Sequence, residues 1–123
     1  MFTNRYNMQL PLPFVKKEGQ EKLKKNHVTV IGAGGLGSPV LYYMAAAGIG
    51  KITIIDNDIV DESNFNRQFI HFEKDLGKSK LDSAAMKLGL FNSEIEISAK
   101  KMLIDDDNVS KFAAQSDIVI SCV

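Results

Sequence analysis

The chain has 123 residues, enough for one domain with a substantial core and too few for two. Hydrophobic residues make up 45% of it and charged ones 24%, and fifteen basic residues balance fifteen acidic ones, so no overall field recruits nucleic acid or an anionic membrane. No apolar run is long enough to cross a bilayer, the first residues lack the order of a signal peptide, and a single cysteine excludes a disulfide framework or a Cys/His zinc cluster; the expectation is a soluble, cytoplasmic protein.

Residues 4–10 predict a short helical turn closed by Pro11 and Pro13, and residues 14–25 an amphipathic helix weakened by Gly19, so that 1–26 reads as a helical lead-in. A β-branched strand follows at 27–31, then a glycine-rich loop and a helix over 38–47, with Pro39 acceptable in its first turn and Gly48 and Gly50 stopping it. Residues 51–55 form a second strand. Residues 56–76 are a long polar connection, of the kind that is more often functional than idle. Leu81, Ala84, Ala85 and Leu88 mark one face of a helix over 79–91, with Ser79 and Asp82 spaced as a capping box. A strand at 94–98, a short helix at 106–115 and a strand at 117–122 complete the chain. Alternating strands and helices predict an α/β, Rossmann-like fold: a mainly parallel sheet with helices on both faces. The chain stops inside its last strand, so residues 27–123 are expected to be the front part of a domain that is incomplete at its C-terminal end.

The chemistry gathers at strand ends. Gly32, Gly34 and Gly37 spell G-x-G-x-x-G after a strand and before a helix, where the loop turns tightly, lets phosphate near the backbone and offers it a helix N-terminus. No Lys-Ser/Thr closes the motif, so it is not a P-loop. Asp56 follows Gly37 by 19 residues, near the spacing of a ribose-binding acid. Asp58 adds a second carboxylate that could aid metal binding, and it reads equally well as an exposed turn residue. Lys80, in the first turn of its helix, meets an unfavourable macrodipole that a bound polyphosphate would reverse. Arg67 suits bidentate phosphate contact, with Asn64 and Gln68 as neutral partners. Taken singly, Arg67 and Lys80 are more often solvated surface charges. Cys122, in an apolar strand, reads as a small buried hydrophobe; Met44 and Met86 read as core, and His27 and His71 show no acid-base partner in the sequence.

With these residues in view, the chain resembles the ubiquitin-activating-like superfamily, in its ThiF/MoeB/HesA branch. The motifs are Arg5-Tyr6-Asn7-Met8-Gln9-Leu10, Gly32-Ala33-Gly34-Gly35-Leu36-Gly37-Ser38, Asp56-Asn57-Asp58-Ile59-Val60, Ser63-Asn64-Phe65-Asn66-Arg67-Gln68 and Gly77-Lys78-Ser79-Lys80. The resemblance implies binding of ATP and magnesium (Mg), and adenylation of the C-terminal carboxylate of a ubiquitin-like sulfur-carrier protein ending in Gly-Gly, or of a peptide, with release of pyrophosphate. It places Gly34 against the nucleotide, together with Gly32, Gly35 and Gly37 of the loop. Asp56 would hold the ribose, with Asp58 beside it, and Asn64, Arg67, Gln68 and Lys80 would surround the triphosphate. Arg67 and Lys80 would be the catalytic pair. A homodimer is implied too, but Met8 stands where the family carries an arginine that reaches the partner subunit's site. The Asp-Asn motif that helps bind magnesium would lie beyond Val123, so the chain alone is expected to be inactive. Two rivals stay open: a catalytically weak ATP-binding module, and an NAD-dependent oxidoreductase on the same fold, in which Arg67 and Lys80 have no role.

Overall fold

The computed structural model describes residues 4–123; the first three residues of the expected lead-in lie outside them. Residues 4–14 run as successive turns, closed by bonds such as Asn7 N–H to the Asn4 carbonyl at 3.2 Å. They lead into α1 (Lys16–Lys25), which buries no residue fully and packs chiefly through Leu23. Then follow β1 (His27–Ile31), α2 (Gly37–Ala47), β2 (Lys51–Asp56), α3 (Lys80–Phe91), β3 (Glu96–Lys101), α4 (Val109–Gln115) and β4 (Ile118–Ser121).

The four strands form one parallel sheet in the order β3-β2-β1-β4. The step from β2 out to β3 and the return to β4 on the far side of β1 create a reversal of strand order at the C-terminal end of β1, where open α/β sheets take their ligands. Alternation along each strand feeds two cores. Val28, Val30, Ile52 and Ile54 face α2 and α3, with Leu41, Ala45, Leu81, Ala84 and Leu88 opposite them. Ile31, Ile55 and Val119 face the other way, onto Phe112 of α4. Helices therefore cover both faces, as the alternation of elements predicts.

Several boundaries differ from expectation for visible reasons. β3 lies two to three residues further along than 94–98, because Asn92 is buried and accepts the Glu94 N–H at 3.0 Å, keeping residues 92–94 in a turn. α4 begins at Val109 rather than 106, since the Asp105 carboxylate accepts the Asp107 and Asn108 N–H groups at 2.9 Å and caps the chain before it coils. Ser79 caps α3 by accepting the Asp82 N–H at 3.3 Å, one half of the expected box. Met86 is 48% exposed, a correction to its reading as core: it falls on the outer edge of the α3 stripe, whereas Met44 packs against the main core. No helix among the described residues is long and apolar enough to cross a membrane.

Candidate functional site

The loop after β1 is folded hard against itself. Gly32 has φ +102°, and a Cβ there would stand 2.8 Å from the Cys122 carbonyl oxygen that follows β4. Gly37 opens α2 so close to the Gly32 carbonyl that a Cβ would fall 2.0 Å from its oxygen. Gly34 and Gly35 between them face the connection after β2: a Cβ on Gly34 would meet the Gln68 amide at 3.2 Å, and one on Gly35 the Arg67 stem at 3.5 Å. Among the described residues, neither Gly34 nor Gly35 finds a protein acceptor for its N–H.

Asp56 ends β2 and ties two turns together. Its Oδ2 accepts the Ala33 N–H at 2.9 Å, and its Oδ1 the Asp58 N–H at 2.7 Å. Each oxygen keeps a lone pair, so the carboxylate can still accept hydroxyl groups. Lys80 begins α3 with its side chain only 9% exposed; its Nζ stands 3.6 Å from Asp58 Oδ2, the one carboxylate paired with it among the described residues. Three N–H donors on one long ion pair leave that ammonium short of partners. Arg67 is exposed, and its Nη1 donates to the Ser63 carbonyl at 3.0 Å and to the Asn66 side chain at 2.9 Å. The guanidinium has five donors in all, so it retains capacity toward a ligand.

All the expected site residues except Gly37 and Asn64 line a single open depression of about 620 Å³, with Leu36, Cys122 and Val123 supplying an apolar side. Gly37 acts instead through its contact with Gly32, and Asn64 through its amide oxygen, which accepts the Asp61 N–H at 2.8 Å and closes the short turn Glu62–Asn64. The buried Gln68 Oε1 has no protein partner. Free loop N–H groups, an under-paired buried ammonium and a rim guanidinium suit an anion; the acceptors of Asp56 and Gln68 suit hydroxyl or amino groups. A second hollow of about 440 Å³, between Tyr6, α1 and the start of β3, lies near the opposite ends of the strands and contains none of the expected residues.

Behind the glycine loop stands a polar chain that sequence reasoning missed. His71 is buried, its Nε2 2.6 Å from the Ala33 carbonyl and its Nδ1 2.8 Å from Ser83 Oγ. The Lys87 ammonium donates to Ser83 Oγ at 2.9 Å, to the Ile70 carbonyl and to the buried Asp75 carboxylate, and lies 3.9 Å from the Phe72 ring centroid. Burial lowers the proton affinity of His71, and the Lys87 charge adds to this. Burial alone would raise the Asp75 pKa, but the hydrogen bonds from Lys87 and the Phe72 N–H outweigh it and hold the carboxyl below the usual range. The signal in the sequence was the period of α3: Lys80, Ser83 and Lys87 share a flank of its apolar stripe, and a lysine there needs a buried acceptor. His27 bonds the Gln115 carbonyl and Thr53 Oγ1 at 2.8 and 2.7 Å, a purely structural role. Cys122 is buried in the main core, and burial pushes its thiol pKa up, away from nucleophilic use.

Comparison with known proteins shows what the chain is similar to. The chain is 44% identical over 116 residues to a probable molybdopterin-synthase adenylyltransferase of Porphyra purpurea, covering 94% of the chain and 30% of that protein. It is 37% identical over 117 residues to the SAMP-activating enzyme E1 of Haloferax volcanii, covering 95% of the chain and 43% of that enzyme. The chain thus spans less than half the length of these curated relatives. The crystal structure of E. coli tRNA N6-threonylcarbamoyladenosine dehydratase, TcdA, in complex with ATP superposes with a TM-score of 0.90 at 27% identity, over 98% of this chain and 49% of that one. The profile of the ThiF family matches residues 6–123, and on that match, the shared parallel sheet and the relatives' identities, the chain belongs to the ThiF family.

Proposed function

We propose that the chain forms the nucleotide-binding part of an adenylyltransferase, which activates the C-terminal carboxylate of a ubiquitin-like sulfur-carrier protein, or of a peptide, as an acyl-adenylate. The observation that carries this reading is the convergence of Lys80 and Arg67 with the glycine loop and Asp56 on one depression. An NAD site would have use for the loop and the acid, and none for the two cations. The names of the relatives support the class of reaction, and the ATP complex of TcdA supports the nucleotide.

In this mechanism Asp56 accepts hydrogen bonds from the ribose hydroxyls, and the Gly34 and Gly35 N–H groups lie against phosphate oxygens. A carboxylate oxygen of the substrate attacks the α-phosphorus, and the bond from that phosphorus to the α,β-bridging oxygen breaks. The electron pair leaves with pyrophosphate. Negative charge grows on the phosphoryl oxygens and the leaving group, where Lys80 and Arg67 stabilise it without a covalent enzyme intermediate. Lys80 is well suited to this, since α3 and its own burial already fix the stem. Magnesium bound with the triphosphate would supply further charge neutralisation. Asp58 is the lining carboxylate that is free of backbone donors, and such a donor set suits an ion that keeps much of its water.

A homodimer, a cytoplasmic setting and the sulfur-carrier or peptide partner complete the proposal. Met8 is 92% exposed, and Arg5 is held within its own chain, its Nη1 3.2 Å from the Phe91 carbonyl and its Nε 3.6 Å from Glu94. On this reading no arginine of the first motif reaches across to a partner subunit, and Lys80 and Arg67 carry the charge stabilisation from one chain. Pyrophosphate exchange by the full-length protein with a Gly-Gly-ended carrier tests the activity: carrier-dependent exchange supports it, and ATP binding without exchange favours the binding-only module.

A further inference from the structure

We propose that His71 is a positioning residue for the nucleotide, holding the Ala33–Gly34 peptide so that the Gly34 N–H is presented to phosphate. The imidazole touches neither the depression nor any reacting atom; it acts through the loop.

The donors and acceptors of the buried chain favour one arrangement of protons. The Ala33 carbonyl can only accept, so the 2.6 Å contact requires a proton on His71 Nε2. Lys87 donates to Ser83 Oγ, and the serine hydroxyl has two acceptors for its own proton, the Asp75 carboxylate and the bare Nδ1 of a neutral His71, which stands 2.8 Å away. Lys87 spends its other two protons on the Ile70 carbonyl and the Asp75 carboxylate. From Lys87 the donation thus runs one way to Asp75 and the other way through Ser83 and His71 to the Ala33 carbonyl, an arrangement that suits a neutral imidazole in its Nε2–H tautomer. The charged groups around His71 agree: burial, Lys87 and Lys80 disfavour a second proton, against the Ala33 carbonyl and Asp75, which favour it.

The consequence for the loop follows from the planarity of the peptide. In a trans peptide the carbonyl and the next N–H point in opposite directions. With the Ala33 carbonyl drawn inward to His71, the Gly34 N–H must point the other way, on the side where Gly34 and Gly35 line the depression. The Ala33 N–H is held by Asp56 at 2.9 Å, so both faces of this residue are gripped, one by the strand-end acid and one by the imidazole. A loop that would otherwise pay for ordering when phosphate binds is ordered beforehand.

This inference rests on the reading of the depression as a triphosphate site, and its test separates the two. Calorimetry would measure ATP and adenosine affinities of the wild-type protein, His71→Leu and His71→Gln. A leucine removes both hydrogen bonds, and a glutamine amide can still donate to the Ala33 carbonyl. The expectation is that His71→Leu weakens ATP about tenfold, the loss equivalent to one hydrogen bond, and leaves adenosine within about twofold. His71→Gln should recover most of the ATP affinity. Equal losses for ATP and adenosine, or no loss, would overturn the positioning role alone; a wild-type protein that binds no ATP would overturn the triphosphate reading and this inference with it. Nitrogen-15 NMR of the wild-type imidazole needs no variant to fold: Nε2 protonated and Nδ1 bare at neutral pH supports the role, and the opposite tautomer overturns it.

Discussion

Lys80 and Asp58 are joined at two points: the Lys80 N–H donates to the Asp58 carbonyl at 3.0 Å, and the Lys80 Nζ stands 3.6 Å from the Asp58 carboxylate. The backbone bond pins the start of α3 to the turn after β2, and Val60 repeats the tie by donating to the Lys78 carbonyl at 2.8 Å. A cation at a helix N-terminus thus keeps its place through main-chain bonds while its own charge stays weakly matched, as the proposed phosphate-binding role requires.

Lys80→Ala is expected to lower pyrophosphate exchange in the full-length protein by about 100-fold or more, the scale of losing one preorganised charge-stabilising group. Arg67→Ala should act in the same direction and less strongly, since the guanidinium is exposed and shares its donors with Ser63 and Asn66. Adenosine affinity should stay within about threefold for both, because neither residue is assigned to the ribose or base. Unchanged exchange in both variants would remove them from the site.

The glycines differ in what they tolerate. Gly37→Ala forces a Cβ to 2.0 Å from the Gly32 carbonyl oxygen, which cannot move without breaking the loop, and should cost about 1–3 kcal/mol or more in urea unfolding. Gly35→Ala meets only the flexible Arg67 stem at 3.5 Å and should leave stability within about 0.5 kcal/mol. Equal effects at the two positions would contradict the loop geometry.

Acid should destabilise the protein in two windows. His71 has its folded pKa below the ordinary 6.5, so its contribution is complete above 6.5 and is lost as pH falls from there to the folded value. Asp75, held below 3.8, contributes fully above that value and loses its contribution as pH falls through the folded one. Urea midpoints between pH 8 and pH 3 should fall in both ranges, and His71→Gln should flatten the first. Lys87→Met leaves Asp75 buried without its cation and should cost about 3–5 kcal/mol at pH 7, more than any surface lysine.

The sequence disclosed the sheet because β1 and β2 carry unbroken β-branched runs, and disclosed the main helices through their spacing. Strand pairing was not written there: the order β3-β2-β1-β4 depends on which faces α3 and α4 cover. That Gly32, Asp56, Arg67 and Lys80 share one depression was legible because each breaks or fulfils a local rule, at a strand end, in the connection after β2 or at the start of α3. The support behind them was hidden, since Ala33, His71, Ser83, Lys87 and Asp75 meet only when the connection after β2 folds back on α3. Asn64, expected beside the triphosphate, does not line the depression, and its amide oxygen shapes its own turn.

The measurement that tests the central claim most directly is calorimetric titration of the protein with Mg-ATP and, separately, with NAD, each repeated on Asp56→Ala. The account predicts that ATP binds, that Asp56→Ala abolishes or severely weakens that binding by releasing both the ribose and the Ala33 N–H, and that NAD gives little heat. Preferential binding of NAD, or ATP binding indifferent to Asp56→Ala, would contradict it.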